Sequence, residues 1–146
     1  MTAVYLDNNA TTPLDSRVRE AMLPWLGELH GNPSSIHRFG QRSRDAVEGA
    51  RAEVAALIGA AAPEIVFASS GTEANNGLLW DVARTADFSG HLVVSSLEHP
   101  SVRVMAEQLQ KLGMELDVVS PSPSGVVDPE AVRAALREDT RMVCLM

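Results

Sequence analysis

The chain has 146 residues, 45% of them hydrophobic and 21% charged, with 12 Lys plus Arg against 19 Asp plus Glu and a net charge of −7. That is the balance of a globular chain; it argues against nucleic acid or an anionic membrane as the main partner and leaves room for a local pocket around a small anion. No apolar run approaches the ~18 residues of a membrane span. The opening MTAVYLDNNATT carries neither a basic region nor a long apolar core, so no secretory leader is expected. The single cysteine, Cys144, excludes an internal disulfide and a zinc site built from cysteines, which makes a cytoplasmic location the default.

In chain order, Val4-Tyr5-Leu6 is a short apolar piece followed by the polar run Asp7 to Thr12. From Asp15 to about Leu29 the pattern is helical, with Val18, Met22 and Leu26 on one face, and Pro24 should kink the helix or end its regular part. Gly31-Asn32-Pro33-Ser34-Ser35 is a loop by composition. Phe39 to Ile58 predicts a long helix with Val47, Ala50, Val54, Leu57 and Ile58 on one face and Gly59 suited to its end.

After Pro63 the texture alternates. Ile65-Val66-Phe67 predicts a buried strand, and the small-residue turn from Ser69 to Thr72 leads into a helix from about Glu73 to Ala86. Leu92-Val93-Val94 is the next predicted strand, followed by a helix from Pro100 to Leu112 with Gly113 just past its end. A strand over 116–119, a helix opened by Asp128-Pro129 and running to about Arg137, and a strand from Met142 to Leu145 complete the series. This rhythm predicts an α/β fold, a mainly parallel sheet covered by helices, preceded by an N-terminal helical segment. The expected division is 1–62, N-terminal segment and helices, and 63–146, the first part of an α/β large domain. No internal repeat or low-complexity tract interrupts it. Ligands of such sheets sit beyond the carboxyl ends of the strands, which directs attention to the turns after Phe67, Val94 and Val119.

Ser69-Ser70-Gly71-Thr72-Glu73 lies between a predicted strand and a helix. Free N–H groups at a helix start bind phosphate, Gly71 leaves the backbone accessible, and the Thr72 hydroxyl can donate to a phosphate oxygen. An ordinary helix cap is the competing reading. No Gly-Lys-Ser/Thr follows, so this is not a Walker loop. Glu98-His99-Pro100 follows the next strand on the same edge, where a histidine can stack on a flat ring and exchange protons, or simply sit on the surface near a helix start. His30, His37 and His91 read as scattered through loops without metal-ligand spacing, and no metal site is expected. Cys144, inside an apolar strand, reads as a buried small hydrophobe.

Four segments then resemble one family in order. They are Tyr5-Leu6-Asp7-Asn8-Asn9-Ala10-Thr11-Thr12-Pro13, Gly31-Asn32-Pro33-Ser34-Ser35-Ile36-His37 with Gly40-Gln41 after it, Ser70-Gly71-Thr72-Glu73-Ala74-Asn75-Asn76, and Ser96-Leu97-Glu98-His99-Pro100-Ser101-Val102. The chain resembles the cysteine desulfurases of fold-type I, within the class V aminotransferases, from about residue 4 onward. The Gly-Asn-Pro-Ser-Ser-x-His form points to the branch of nitrogenase and housekeeping iron–sulfur assembly.

The resemblance implies pyridoxal 5'-phosphate as cofactor, with Gly71 and Thr72 as its phosphate-binding pair and His99 as the stacking, proton-shuttling histidine. It implies L-cysteine as substrate, a homodimer and a sulfur-acceptor or scaffold protein as partner. The Asn8-to-Thr11 segment is expected near the active-site mouth. Ser70 stands where many relatives have glycine or another small residue, which should narrow the turn's freedom slightly without removing the site. The family's ring-side asparagine, pyridine aspartate, Schiff-base lysine, substrate arginine and mobile-loop cysteine match no position here, and Lys111, the only lysine, matches no family motif. These 146 residues by themselves are therefore expected to be inactive. A related class V aminotransferase or selenocysteine lyase, and a non-catalytic truncated or split-gene fragment, are the alternative readings.

Overall fold

In a computed structural model, which describes residues 3–146, the chain divides between Val66 and Phe67 into two compact units. The first two residues of the opening stretch read for a leader lie outside the described residues.

In the first unit, Asp15 opens helix α1, Ser16–Met22, by accepting the Arg17 backbone N–H at 2.8 Å. Pro24 removes a donor and cannot continue the ladder, so the chain tightens into a 3-10 turn over Leu23–Leu26 instead of a helix to residue 29. Helix α2, Arg38–Ile58, ends at Gly59, whose φ of +71° supplies the left-handed stop.

The Gly31–Ser35 loop folds back onto the start of α2. Asn32 Oδ1 accepts the Ser34 N–H at 2.9 Å, Arg44 Nε donates to the Pro33 carbonyl at 2.8 Å, and His37 caps the helix by accepting the Gly40 N–H. The approach is close enough that a Cβ on Gly40 would lie 2.6 Å from the Asn32 carbonyl oxygen and 2.7 Å from Ser35 Cβ. His30 stacks on Phe39 at 5.6 Å between ring centroids. Two features here depart from expectation. His37 is a helix cap rather than a loop residue. The apolar face of α2 is largely uncovered, with Leu57 85% exposed.

Residues 65–67 do not form the predicted strand. Ile65 is extended (φ −96°, ψ 125°), but Val66 is 85% exposed and the segment has no place in the sheet. A strand exists through its ladder with a neighbour. The three strands of the second unit pair with one another, so sequence that favours extended backbone is not enough to make a fourth.

Those strands are β1, His91–Ser95, β2, Glu115–Val119, and β3, Thr140–Cys144, ordered β2-β1-β3 and all parallel. Helix α3, Gly71–Thr85, precedes β1; α4, Pro100–Lys111, connects β1 to β2; and α5, Pro129–Ala135, connects β2 to β3. The α/β class with a small parallel sheet is as the alternation predicted. As the central strand, β1 is buried along its whole length, and its run His-Leu-Val-Val-Ser has the near-continuous apolar character of such strands. Leu92 and Val94 meet Leu79 and Ala83 of α3 and Val102, Ala106 and Leu109 of α4, with Met114 closing the cluster. Each fully buried Leu here contributes roughly 1.5–3 kcal/mol relative to exposure.

His91, expected in a loop, begins β1 and is fully buried. Its Nδ1 lies 3.0 Å from Thr140 Oγ1, and its Nε2 lies 3.3 Å from Asp117 Oδ2 without hydrogen-bond alignment. Arg137 pairs with Asp117 at 3.0 Å and also with Glu115. These polar groups join the three strands at or near their amino ends, away from the edge where a ligand is expected.

Candidate active site

β1 is flanked by β2 on one side and β3 on the other, so the crossovers from β1 to β2 and from β2 to β3 leave in opposite senses. A crevice at the carboxyl end of such a strand is where α/β sheets bind ligands. The ladder runs one step past β1, where the Ser96 N–H donates to the Val119 carbonyl at 2.9 Å, and the chain then turns through Glu98 and His99 into α4.

The turn before α3 is organised by side chains. Ser70 is the N-cap, and its Oγ accepts the Glu73 N–H at 3.2 Å. The Glu73 carboxylate reaches back to Ser69, accepting its N–H and its hydroxyl at 2.6 Å each. This is the reciprocal pattern of a capping box, displaced by one residue at the receiving end. The Ser69 hydroxyl and N–H hold the Glu73 carboxyl below its ordinary value. Ser70 sits at φ −162°, ψ 162°, extended backbone open to any residue. Serine is therefore unstrained at this position and adds a cap to the turn.

With Ser69 and Glu73 engaged, the Gly71 and Thr72 backbone N–H groups and the Thr72 hydroxyl have no acceptor or donor among the described residues. Both residues are exposed, and a Cβ built on Gly71 would meet nothing within 4 Å. The helix start thus presents free donors, with the positive end of the α3 dipole behind them, to open space.

His99 is the N-cap of α4. Its Nδ1 accepts the Ser101 N–H at 3.1 Å and lies 2.8 Å from Ser101 Oγ, which in turn accepts from Asn75 Nδ2 at 2.9 Å. Thr72 and His99 line one cavity of about 370 Å³, together with Asn76, Pro100, Ser101 and Gln108 among others. The two arms singled out in sequence, 27 residues apart, therefore face the same space. Glu98 turns away from His99 and accepts the Ser95 hydroxyl at 2.6 Å. Lys111 lies in the last turn of α4 and is not part of the cavity wall. Cys144 is half-buried in β3, and burial, then the charge of Glu98, pushes its thiol up. The Asn8–Thr11 segment is an exposed turn of the first unit, with the Ala10 N–H donating to the Asp7 carbonyl at 3.1 Å.

Sequence reasoning named Ser69, Glu73, Asn75 and Ser101 within motifs but assigned them no role in the site. The Ser70-x-x-Glu73 spacing was a readable signal for the first pair. Asn75 and Ser101 are 26 residues apart, and nothing local announces their contact.

A family model described as aminotransferase class-V matches residues 4–146. The chain belongs to the class V aminotransferase family. Among curated relatives of this class V chain, it is 46% identical over 144 residues to cysteine desulfurase IscS of Dictyoglomus turgidum, covering 98% of this chain and 36% of that protein. It is 42% identical over 147 residues to putative cysteine desulfurase IscS 1 of Bacillus subtilis, covering 100% and 39%. The chain thus spans little more than a third of the length of these relatives. Among solved structures, a NifS-like protein superposes with a TM-score of 0.93 at 36% identity, over 99% of this chain and 40% of that one. SspA in complex with cysteine superposes with a TM-score of 0.85 at 31% identity, over 93% and 40%. The class V assignment accounts for the order of the four sequence segments and for the parallel sheet together.

Proposed function

We propose that this class V chain contributes the phosphate-binding turn and the ring-stacking histidine of a pyridoxal-phosphate-dependent cysteine desulfurase. The complete protein would convert L-cysteine to L-alanine and pass the sulfur, as an enzyme-bound persulfide, toward iron–sulfur cluster assembly or another acceptor. The observation that carries this reading is the cavity shared by Thr72 and His99, with unengaged donors at the start of α3. The names of the relatives support the substrate.

The residues fit the group. The Gly71 and Thr72 N–H groups and the Thr72 hydroxyl would hold the phosphate, aided by the dipole of α3. The open space at Gly71 leaves room for it. His99 would stack on the pyridine ring and hold or move a proton at Nε2, because Nδ1 is already engaged with Ser101. When bound, pyridoxal phosphate supplies an electron sink for the substrate's carbon skeleton. We read residues 63–146 as the first part of the cofactor-binding large domain, and the complete protein as a cytoplasmic homodimer served by a sulfur-acceptor or scaffold protein. Residues 1–146 by themselves carry no desulfurase activity in this reading. Counting from Pro100 at ~1.5 Å per residue, Lys111 is roughly 16 Å along α4, beyond the reach of a lysine side chain.

The test is to purify the complete protein, record the cofactor's visible absorption band, and assay alanine and sulfide from L-cysteine with a thiol reductant. Equal amounts of alanine and sulfide are expected. A protein that binds the cofactor but acts only on selenocysteine, or only transfers amino groups, would move the assignment to the related class V enzymes. Absence of both band and alanine would overturn it.

A further inference from the structure

We propose that Asn75 and Ser101 are positioning residues that lock His99 in one ring orientation and one tautomer, with Nδ1 as a permanent acceptor and the exchangeable proton on Nε2. The functional meaning of this lock rests on the reading of His99 given above; the lock itself does not.

One donor to His99 cannot change roles. The Ser101 backbone N–H lies 3.1 Å from His99 Nδ1 and can only donate, so Nδ1 keeps its lone pair. A proton on Nδ1 would point at that N–H. Ser101 Oγ, 2.8 Å from the same nitrogen, can donate or accept. Its role is biased by Asn75, whose Nδ2 donates to Oγ at 2.9 Å and so occupies an acceptor position there. The hydroxyl proton is left to point at Nδ1. The chain of donors runs in one direction, from Asn75 through Ser101 to His99.

Burial makes the arrangement stiff. Ser101 is 8% exposed and Asn75 is half-buried, so water is poorly placed to substitute for either group. The cap geometry fixes the ring as well, because an N-cap side chain bonded to the N–H two residues on has little rotamer freedom. His99 Nε2 has no partner among the described residues, while the ring lines the cavity. The ring nitrogen that is free to exchange a proton is thus the one not used for support.

Asn75 also has a place that suits a second task. It follows Gly71 by four residues and Thr72 by three, so it lies on the same face of α3 as the phosphate-binding candidates. Its bond to Ser101 ties that face to the start of α4. One hydrogen bond therefore supports both the tautomer that the Ser101 N–H favours and the spacing between the phosphate arm and the ring arm. The two helices are held together behind it by Leu79, Ala83, Val102 and Ala106.

The experiment uses the complete protein, labelled with 15N only at histidine, at mildly alkaline pH and without added cofactor. The His99 ring signals are assigned by their loss in His99→Gln. Long-range proton–nitrogen spectra should show a single Nε2–H tautomer in the wild type and in Ser101→Thr, and a detectable minor Nδ1–H population in Ser101→Ala and Asn75→Leu, where the residue-101 backbone N–H no longer has the full support of the side-chain donors. In the loaded enzyme, Ser101→Ala should lower kcat on the order of 10-fold with cofactor affinity unchanged. Unperturbed amide spectra separate this from misfolding, and Ser101→Thr gives a second comparison if Asn75→Leu disturbs the helix pair. A wild-type ring protonated at Nδ1, or one tautomer distribution in all variants, would overturn the proposal. If the tautomer shifts as expected while the complete protein forms no alanine from cysteine, the lock stands and the desulfurase reading falls.

Discussion

The Glu73 carboxylate holds Ser69 at two points, its backbone N–H and its hydroxyl, each at 2.6 Å, and so fixes the turn from which Thr72 reaches the cavity. This contact lowers the Glu73 carboxyl below its ordinary 4.5. A carboxylate with a depressed folded value adds stability above its unfolded value, and that contribution is lost as pH falls below about 4.5 through the folded value. Glu73→Gln should therefore raise amide hydrogen exchange at Ser69 at neutral pH and flatten the acid dependence of that exchange. Identical exchange profiles for wild type and variant would show that the carboxylate does not hold the turn.

Thr72→Val and His99→Ala should separate anchoring from chemistry in the complete protein. The first removes a hydroxyl donor to a charged phosphate, on the order of 1–3 kcal/mol, or roughly 5- to 150-fold in cofactor affinity. The second should spare most of that affinity and mainly lower kcat, by about 100-fold if His99 transfers a proton. Titration of the apo form with cofactor, alongside steady-state kinetics, gives both numbers. Equal affinity in wild type and Thr72→Val would count against the phosphate assignment.

Two glycines in the same helix should respond with opposite signs. Gly40→Ala would normally gain from helix propensity, but its Cβ would press on the Asn32 carbonyl oxygen at 2.6 Å and on Ser35 Cβ at 2.7 Å. The loop or the helix start must shift, and a loss of roughly 1–3 kcal/mol is expected. Gly49→Ala meets nothing within 4 Å and should gain roughly 0.5–1 kcal/mol. Chemical denaturation of the three proteins checks the pair, and a stabilised Gly40→Ala would mean the loop does not rest on α2 as described.

Cys144 should be a slow thiol. Burial first, and the neighbouring charge of Glu98 second, keep it protonated above its ordinary 9.0. For a thiol with a raised folded value, the stability contribution is complete below the unfolded value and is lost as pH climbs through the folded one, so the window is alkaline, above about 9.0. Alkylation by iodoacetamide near pH 8 should run at least about 10-fold slower than for free cysteine, and Glu98→Gln should speed it modestly. A rate matching free cysteine would place the thiolate outside the strand environment seen here.

The helices were largely legible because their signals are local. Asp15 before α1, Pro100 and Pro129 at first helical positions, and Gly59 past α2 each act within a turn of the boundary they set. The run Leu92-Val93-Val94 was legible for a related reason: a strand buried on both faces is apolar throughout. Gly71, Thr72 and His99 could be singled out because the chemistry of a helix start and of a histidine after a strand is carried by residue type and spacing alone.

Tertiary structure decided the rest, where the deciding partner is distant in sequence. Ile65-Val66-Phe67 has the composition of a strand and is not one, because ladder bonds come from a neighbour and β1, β2 and β3 pair among themselves. His91 looked like a loop residue and is instead buried between Thr140 and Asp117, since burial depends on which strands flank β1. Asn75 and Ser101 sit inside two of the family segments, but nothing local announced their contact. Their hydrogen bond exists only because α3 and α4 pack side by side, and that packing aligns the donor that turns His99 toward the cavity it shares with Thr72.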